Sequence, residues 1–312
     1  MGSICGWSGT GLGSDMSQQA IWAMLNKSGK IANTGSDISY DNFGALGVGD
    51  GLHASSLLSQ DSIRVAITGS PTWSDQELAA ISEEQGAGAA LIKAWRTFGK
   101  NLLSKLHGPF SLVIQDGGEA LIAIDRIGIH SLSYALQDGV FVFSTSTGDV
   151  TRHPLISRRI DPQAIFNYIY FYDIPGPGTI FVGVEKLLPA QYVHFRNGQL
   201  EKGFYWKLHY DEHNQSSFQT QKQKFHELLR QSVAAASQDG SVATFLSGGT
   251  DSSTITGILA ELQDNPDVQD MANSTVKATV DGYVIVENAN GDEIRTDFNG
   301  SDMVEIVKPG KK

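Results

Sequence analysis

Cysteine is almost missing from this sequence of 312 residues: Cys5 is the only one. A single thiol excludes an intrachain disulfide and a multi-thiolate metal site, and it fits a reducing compartment. Long apolar runs are missing too, since none nears the ~20 residues that span a bilayer; no membrane is expected as a partner. The opening lacks the basic and then apolar pattern of a secretory signal. "MGSICG" also carries Gly6 where a myristoylation site has Ser or Thr. These absences predict a cytoplasmic protein, in which the sequons at Asn26, Asn214 and Asn273 carry little meaning. Positive charge is scarce as well, with 23 Lys and Arg against 34 Asp and Glu, a formal charge of -11. The densest basic cluster, "SRRI" at 157–160, is too short to offset that, so no nucleic acid partner is expected.

The composition that remains, 40% hydrophobic and 18% charged, is that of a folded globular protein. The length suits about two domains. Strands are predicted at 64–69, 110–116, 119–125 and 139–146, where β-branched and aromatic residues cluster between turn signals. The stretch 74–106 has helical apolar spacing, interrupted near Gly86–Gly88. Strands joined by hairpin-like turns, with helices grouped apart, suggest layered helix and antiparallel sheet. Asn197–Gly198 marks a further hairpin. After a polar linker at 211–219, a helix is predicted at 224–237, a strand at 241–246 and a helix at 253–262. The last stretch, 281–298, reads as two strands around Asn290–Gly291.

The segment "FLSGGTDSS" carries the clearest chemistry. A glycine pair after a buried strand lets backbone approach a ligand closely, and the following helix aims its free N–H groups at the same spot. Hydroxyls of Ser247, Ser252 and Ser253 add donors for phosphate oxygens, and Asp251 can hold a magnesium ion. No Gly-Lys-Ser/Thr follows, so this is not a Walker A loop. The competing reading is a plain strand-to-helix turn capped by Ser and Asp.

The run Ser-Gly-Gly-x-Asp-Ser-Ser resembles the pyrophosphate loop of AMP-forming (PP-loop) ATP enzymes. Within that group, the chain from Cys5 to about Leu262 resembles the glutamine-hydrolysing asparagine synthetases. "HGPFSLVIQD", "AIDRIGIHSLSYAL", "FSTS" and "GPGTIFVGVEKLLPAQYVHFRNG" fall in that family's order. The resemblance implies an α+β N-terminal-nucleophile domain, an α-β-β-α sandwich of the class II glutamine amidotransferase type, followed by an incomplete α/β PP-loop domain. It places a glutaminase-like domain with its linker hairpin at 1–210, the start of the synthetase domain at 211–263, and a tail at 264–312. It implies ATP and Mg2+ as cofactors, with Leu246, Ser247, Gly248, Gly249, Asp251, Ser252 and Ser253 in the ATP site. The substrates it implies are L-glutamine or ammonia and an aspartate-like carboxylate, activated as its adenylate.

On the same resemblance, Cys5 is the glutaminase nucleophile and Gly69 offers an oxyanion N–H. The family's cysteine is the first residue of the mature chain, because its α-amine is the base for its own thiol. Here four residues precede Cys5, so its nitrogen is an amide unless the chain is cut after Ile4. Thr68 replaces the asparagine of the oxyanion pair, and neither Ala87 nor the stretch 45–51 supplies the family's charged clamps for glutamine. The glutaminase half is therefore expected to be degenerate. Asp125 and Arg126 are expected to form an ion pair at a strand end. Three readings stay open: an ATP-dependent amide-forming ligase, an amide- or lactam-forming relative without glutaminase activity, and a truncated non-catalytic binding subunit. A homo-oligomer or a completing chain would cover the exposed edge of an incomplete sheet.

Overall fold

The computed structural model describes residues 3–9, 14–25, 37–49, 55–210, 215–237, 244, 249–263, 275–280, 283–287 and 293–297. The chain divides into two units, Met1–His209 and Tyr210–Lys312.

In the first unit the elements run β1 (Ser3–Ser8), α1 (Ser14–Leu25), β2 (Asp37–Asp41), β3 (Gly44–Gly49), β4 (Ser55–Gln60) and β5 (Ile63–Gly69). Next come the short β6 (Thr72–Trp73), α2 (Gln76–Gln85), α3 (Ala87–Phe98), a 3-10 turn (Gly99–Lys105), β7 (Leu106–His107), β8 (Phe110–Asp116) and β9 (Glu119–Ile124). The unit closes with β10 (Ser133–Gln137), β11 (Val140–Ser144), α4 (Thr147–Val150), α5 (Pro162–Phe171), β12 (Glu185–Lys186), β13 (Gln191–Arg196) and β14 (Gln199–Phe204). Two six-stranded sheets result, ordered β12-β10-β11-β1-β3-β2 and β14-β13-β9-β8-β5-β4, while β6 and β7 form a separate pair.

Side-chain alternation explains why these sheets stack. In β1, Ile4 enters a core shared with the other sheet, whereas Cys5 and Trp7 enter a core shared with α1. In β9, Ala120, Ile122 and Ile124 face the other sheet, whereas Leu121 and Ala123 face the helices. A period of two with apolar residues on both faces requires a cover on both sides of each sheet. The covers are α1 on one outer face and α2 with α3 on the other: Ala20, Ile21 and Met24 join the first outer core, and Leu78, Leu91 and Ile92 the second. Three cores in series make the four-layer α-β-β-α sandwich. Phe141 and Phe143, fully buried between the sheets, each contribute about 1.5–3 kcal/mol of burial.

The predicted strands at 64–69, 110–116, 119–125 and 139–146 are present as β5, β8, β9 and β11. The long helical stretch breaks at Gly86 into α2 and α3, with Asp75 capping α2 through the Leu78 N–H at 3.3 Å. Asn197 and Gly198 turn between β13 and β14 with φ of 51° and 74°, the paired left-handed geometry of a two-residue hairpin. α5 buries only Ala164, leaving Phe166, Tyr168, Ile169, Tyr170 and Phe171 exposed.

In the second unit, α6 (Phe218–Ala236) starts earlier than its apolar spacing predicts, because the Ser217 hydroxyl accepts the Thr220 N–H at 3.2 Å and caps it. α7 spans Thr250–Gln263. The predicted strand at 241–246 lies outside the described residues except for Thr244, whose hydroxyl accepts the Thr256 hydroxyl at 3.0 Å. β15 (Thr275–Val280), β16 (Tyr283–Glu287) and β17 (Glu293–Asp297) form an antiparallel sheet in that order. The sequence suggests only its last two strands.

Candidate functional site

Cys5 sits in the middle of the first sheet, opposite Gly47 of β3 and Ser144 of β11. It is 1% exposed and packs in the outer core with α1. The strand continues upstream of it: Ser3 pairs with Gly49 and Ile4 with Val48. The Ile4 N–H donates to Thr145 Oγ1 at 3.1 Å, and its carbonyl accepts the Thr145 N–H at 2.9 Å. The residue before Cys5 is thus woven into the sheet, and the nitrogen of Cys5 is an amide within a strand.

Gly69 lies elsewhere, at the end of β5 in the second sheet, opposite Phe110. Its φ of +104° falls where L side chains are strained. A Cβ there would stand 2.3 Å from the Pro109 carbonyl oxygen and 2.8 Å from His130 Nε2. Glycine is therefore required, and a buried imidazole lies against it. Thr68, in the place of the expected asparagine, has a buried hydroxyl without a hydrogen-bond partner among the described residues. Its cross-strand neighbours Ser55 and Ser111 have the same, so three hydroxyls stand in one row across β4, β5 and β8. Cys5 faces the helical layer beside the first sheet, while Gly69 ends a strand of the second.

The turn that carries His130 is built by Asp125. Its Oδ1 accepts the N–H groups of Ile127 at 3.2 Å and Ile129 at 3.0 Å, and its Oδ2 accepts that of His130 at 2.9 Å. This corrects the expected Asp125–Arg126 ion pair. Three backbone donors lie within reach of the carboxylate, and Arg126 turns away to the Leu106 carbonyl at 3.4 Å and to Trp206, its guanidinium 5.7 Å from that ring's centroid. Burial and then the Asp125 charge raise the Tyr205 hydroxyl well above the usual phenol range. It stays protonated and donates to the Ile124 carbonyl at 2.8 Å. Sequence reasoning missed His130, although it closes the quoted run "AIDRIGIH" five residues after Asp125.

The expected clamp positions offer no charge among the described residues: Ala87 opens α3, and Ala45 to Gly49 belong to the largely buried strand β3. The rest of that stretch, Asp50 and Gly51, lies outside the described residues.

Of the predicted ATP loop, Leu246, Ser247 and Gly248 lie outside the described residues. Gly249 is exposed just before α7, whose first turn holds Asp251, Ser252 and Ser253. The helix begins three residues before its predicted start. The Ser253 N–H donates to the Gly249 carbonyl at 3.1 Å, and the Ser252 hydroxyl donates to the same oxygen at 3.2 Å. An exposed helix start with hydroxyls and a carboxylate in its first turn has the donors a phosphate chain needs and an acceptor for its metal. Among the described residues, no group of three or more His, Cys, Asp or Glu is placed to hold a metal, and no helix is long and apolar enough to cross a membrane.

Two family descriptions match the chain in succession: "Glutamine amidotransferase domain" over residues 81–206 and "Asparagine synthase" over residues 224–296. The second runs into the stretch after residue 263 that the sequence sets apart as a tail. Asparagine synthetase [glutamine-hydrolyzing] 3 of Bacillus subtilis is 29% identical over 174 residues, which are 54% of this chain and 28% of that protein. Amidase chyE of Penicillium rubens is 29% identical over 181 residues, 55% of this chain and 26% of that protein. The putative asparagine synthetase [glutamine-hydrolyzing] 2 of Methanocaldococcus jannaschii is 25% identical over 185 residues, 56% of this chain and 35% of that protein. The chain thus spans only about a quarter to a third of the length of these relatives. Among solved structures, the glutamine phosphoribosylpyrophosphate amidotransferase of B. subtilis aligns with a TM-score of 0.39 at 12% identity, covering 83% of this chain and 64% of that one. The two matched domains, in this order and with these curated relatives, identify the chain as a divergent, partial member of the glutamine-hydrolysing asparagine synthetase family.

Proposed function

We propose that the chain belongs to an ATP-dependent, amide-forming ligase whose amidotransferase unit serves as a scaffold. The observation that carries the ligase reading is the exposed start of α7, with Gly249, Asp251, Ser252 and Ser253, inside the stretch matched by the asparagine synthase family. The N–H groups of that turn ahead of Ser253 would hold phosphate oxygens, and the Ser253 hydroxyl would add a donor, joined by that of Ser252 once it turns from the Gly249 carbonyl. Asp251 would hold Mg2+. Bound ATP would supply the adenylyl group that activates an aspartate-like carboxylate. That transfer would release pyrophosphate, and ammonia or another amine would then form the amide by displacing AMP from the acyl carbon and giving up a proton. A cytoplasmic setting fits the single cysteine.

Equilibrium titration of the full chain with Mg-ATP tests the reading. Saturable binding is expected, weakened about tenfold or more in Asp251→Ala, as the loss of one metal-held charge contact predicts. No binding, or equal binding by the variant, overturns it.

The scaffold reading rests on the burial of Cys5 and on the pairing of Ser3 and Ile4 upstream of it. A nucleophile must meet both its substrate and a base, and a buried thiol in an apolar core is inert. The thiol of the folded protein is therefore expected to resist Ellman's reagent and to react promptly in about 8 M urea, a condition chosen at the upper end of ordinary denaturant ranges. Rapid labelling of the native chain would show that the thiol is accessible and overturn the burial argument for the scaffold reading.

A further inference from the structure

The helical layer over the second sheet stops before that sheet's edge. α3 ends at Phe98, the tight turn Gly99–Lys105 follows, and the outer face of the β13–β14 ribbon is left partly open. The opening is a cleft of about 580 Å³ lined by Trp95, Lys100, Glu119, His194, Arg196 and Glu201, among others. Its size is that of small-molecule sites, which run to roughly 300–1,000 Å³. Strand alternation places these side chains there. Val193 and Phe195 enter the inter-sheet core, so His194 and Arg196 face outward, with Glu201 directly across from His194.

The charges inside the cleft are only half used. Glu119 spends Oε1 on His194 Nε2, 2.5 Å away, and its Oε2 has only Arg196 Nε at 3.9 Å. Glu201 spends Oε1 on Lys100 and on the Tyr192 hydroxyl, and its Oε2 has only His194 Nδ1 at 3.8 Å. Both distances exceed a hydrogen bond. Arg196, 69% exposed, donates no hydrogen bond among the described residues. Two carboxylate oxygens held only by long ion pairs, and a guanidinium whose ion pair to one of them runs through Nε alone, therefore border one cleft. The Trp95 ring stands edge-on to His194 with centroids 6.1 Å apart, held by its N–H bond to Asp116 Oδ2 at 3.1 Å, and gives the cleft an apolar wall.

We infer that this cleft is a binding site for a small zwitterion, an α-amino acid. Its ammonium would sit on Oε2 of Glu119 and Glu201, its carboxylate on the Arg196 fork, and its side chain along Trp95. A simple anion meets two carboxylates, and a simple amine leaves the guanidinium unused; only a ligand with both charges satisfies all three groups. The site shares no residue with Cys5, Gly69 or the start of α7, and does not depend on the proposed ligase activity.

The test is an NMR titration of the full chain, 15N-labelled, with L-glutamine, L-aspartate and L-phenylalanine, using acetate and methylamine as controls. At least one amino acid is expected to shift the Trp95 indole N–H signal saturably. Acetate and methylamine should bind about tenfold or more weakly, and Arg196→Ala should weaken amino-acid binding by a similar factor, the loss of one charge-assisted contact. Arg196→Ala breaks no hydrogen bond, so an unchanged thermal midpoint shows that the variant is folded. Three results overturn the inference: no amino acid shifts the indole signal, acetate binds as well as the amino acids, or Arg196→Ala binds them undiminished.

Discussion

Replacing Asp125 with alanine is expected to destabilise the first unit by about 3 kcal/mol. The carboxylate is 1% exposed and accepts three backbone N–H groups, from Ile127, Ile129 and His130. A buried donor left without an acceptor costs about 1–3 kcal/mol. The full cost of three is not expected, because the turn holds exposed Ile127 and Ile129 side chains and water can reach part of it. Asp125→Asn keeps one carbonyl oxygen but turns an NH2 group toward at least one of the same donors, so about half the loss is expected. All five tryptophans lie in the first unit, so tryptophan fluorescence during urea unfolding reports on that unit. The midpoint should fall without a change in slope. A loss below about 1 kcal/mol in Asp125→Ala would show that the turn finds other acceptors. The structural consequence is specific: with the turn released, the His130 imidazole loses the anchor that holds it against Gly69.

That turn also shows what the sequence can and cannot convey. Local signals are legible: the Asn197–Gly198 hairpin, the break at Gly86 and the apolar runs of β5, β8, β9 and β11 all depend on neighbours along the chain. α1 and strands β2 to β4 escape a reading of the sequence, because Gly- and Ser-rich segments such as "FGALGVGDG" carry weak β patterns and draw their order from cross-strand partners. The sequence pairs Asp125 with Arg126 because it shows charges and hides backbone donors. Resemblance places Cys5, but only the register with β3 and β11 shows that its side chain faces α1. The Trp95–Arg196 cleft is invisible for a different reason: its charged groups come from the turn after α3, the start of β9 and both strands of one hairpin. No spacing rule joins those segments.

Acidification provides the second large effect, through His153. The residue is 1% exposed, its ring 5.2 Å from that of Trp7. Nδ1 accepts the Leu155 N–H at 3.4 Å, and Nε2 has no hydrogen-bond partner among the described residues. Burial pushes the imidazole down to about 4 from its ordinary 6.5. Protonation would bury a charge and turn Nδ1 from an acceptor into a second donor facing the Leu155 N–H. The sign follows from proton counting: below pH 6.5 the unfolded chain binds a proton that the folded chain refuses until the pH reaches about 4. Stability contributed by the neutral ring is therefore complete above 6.5 and lost as the pH falls through that window, with no further loss from this group below it. The loss is on the order of 3 kcal/mol, most of it reached by about pH 4.5. Carboxylates also titrate in acid, so the measurement is a difference. His153→Asn, whose side-chain oxygen can still accept the Leu155 N–H, is compared with the parent chain by urea unfolding at about pH 7 and about pH 4.5. At the higher pH the variant should be the weaker protein, because the smaller side chain leaves a gap against Trp7. Between the two pH values the parent should lose roughly 2–3 kcal/mol more than the variant. Parallel losses in the two proteins would mean that His153 is charged in the fold, with a partner reached by rearrangement around Trp7.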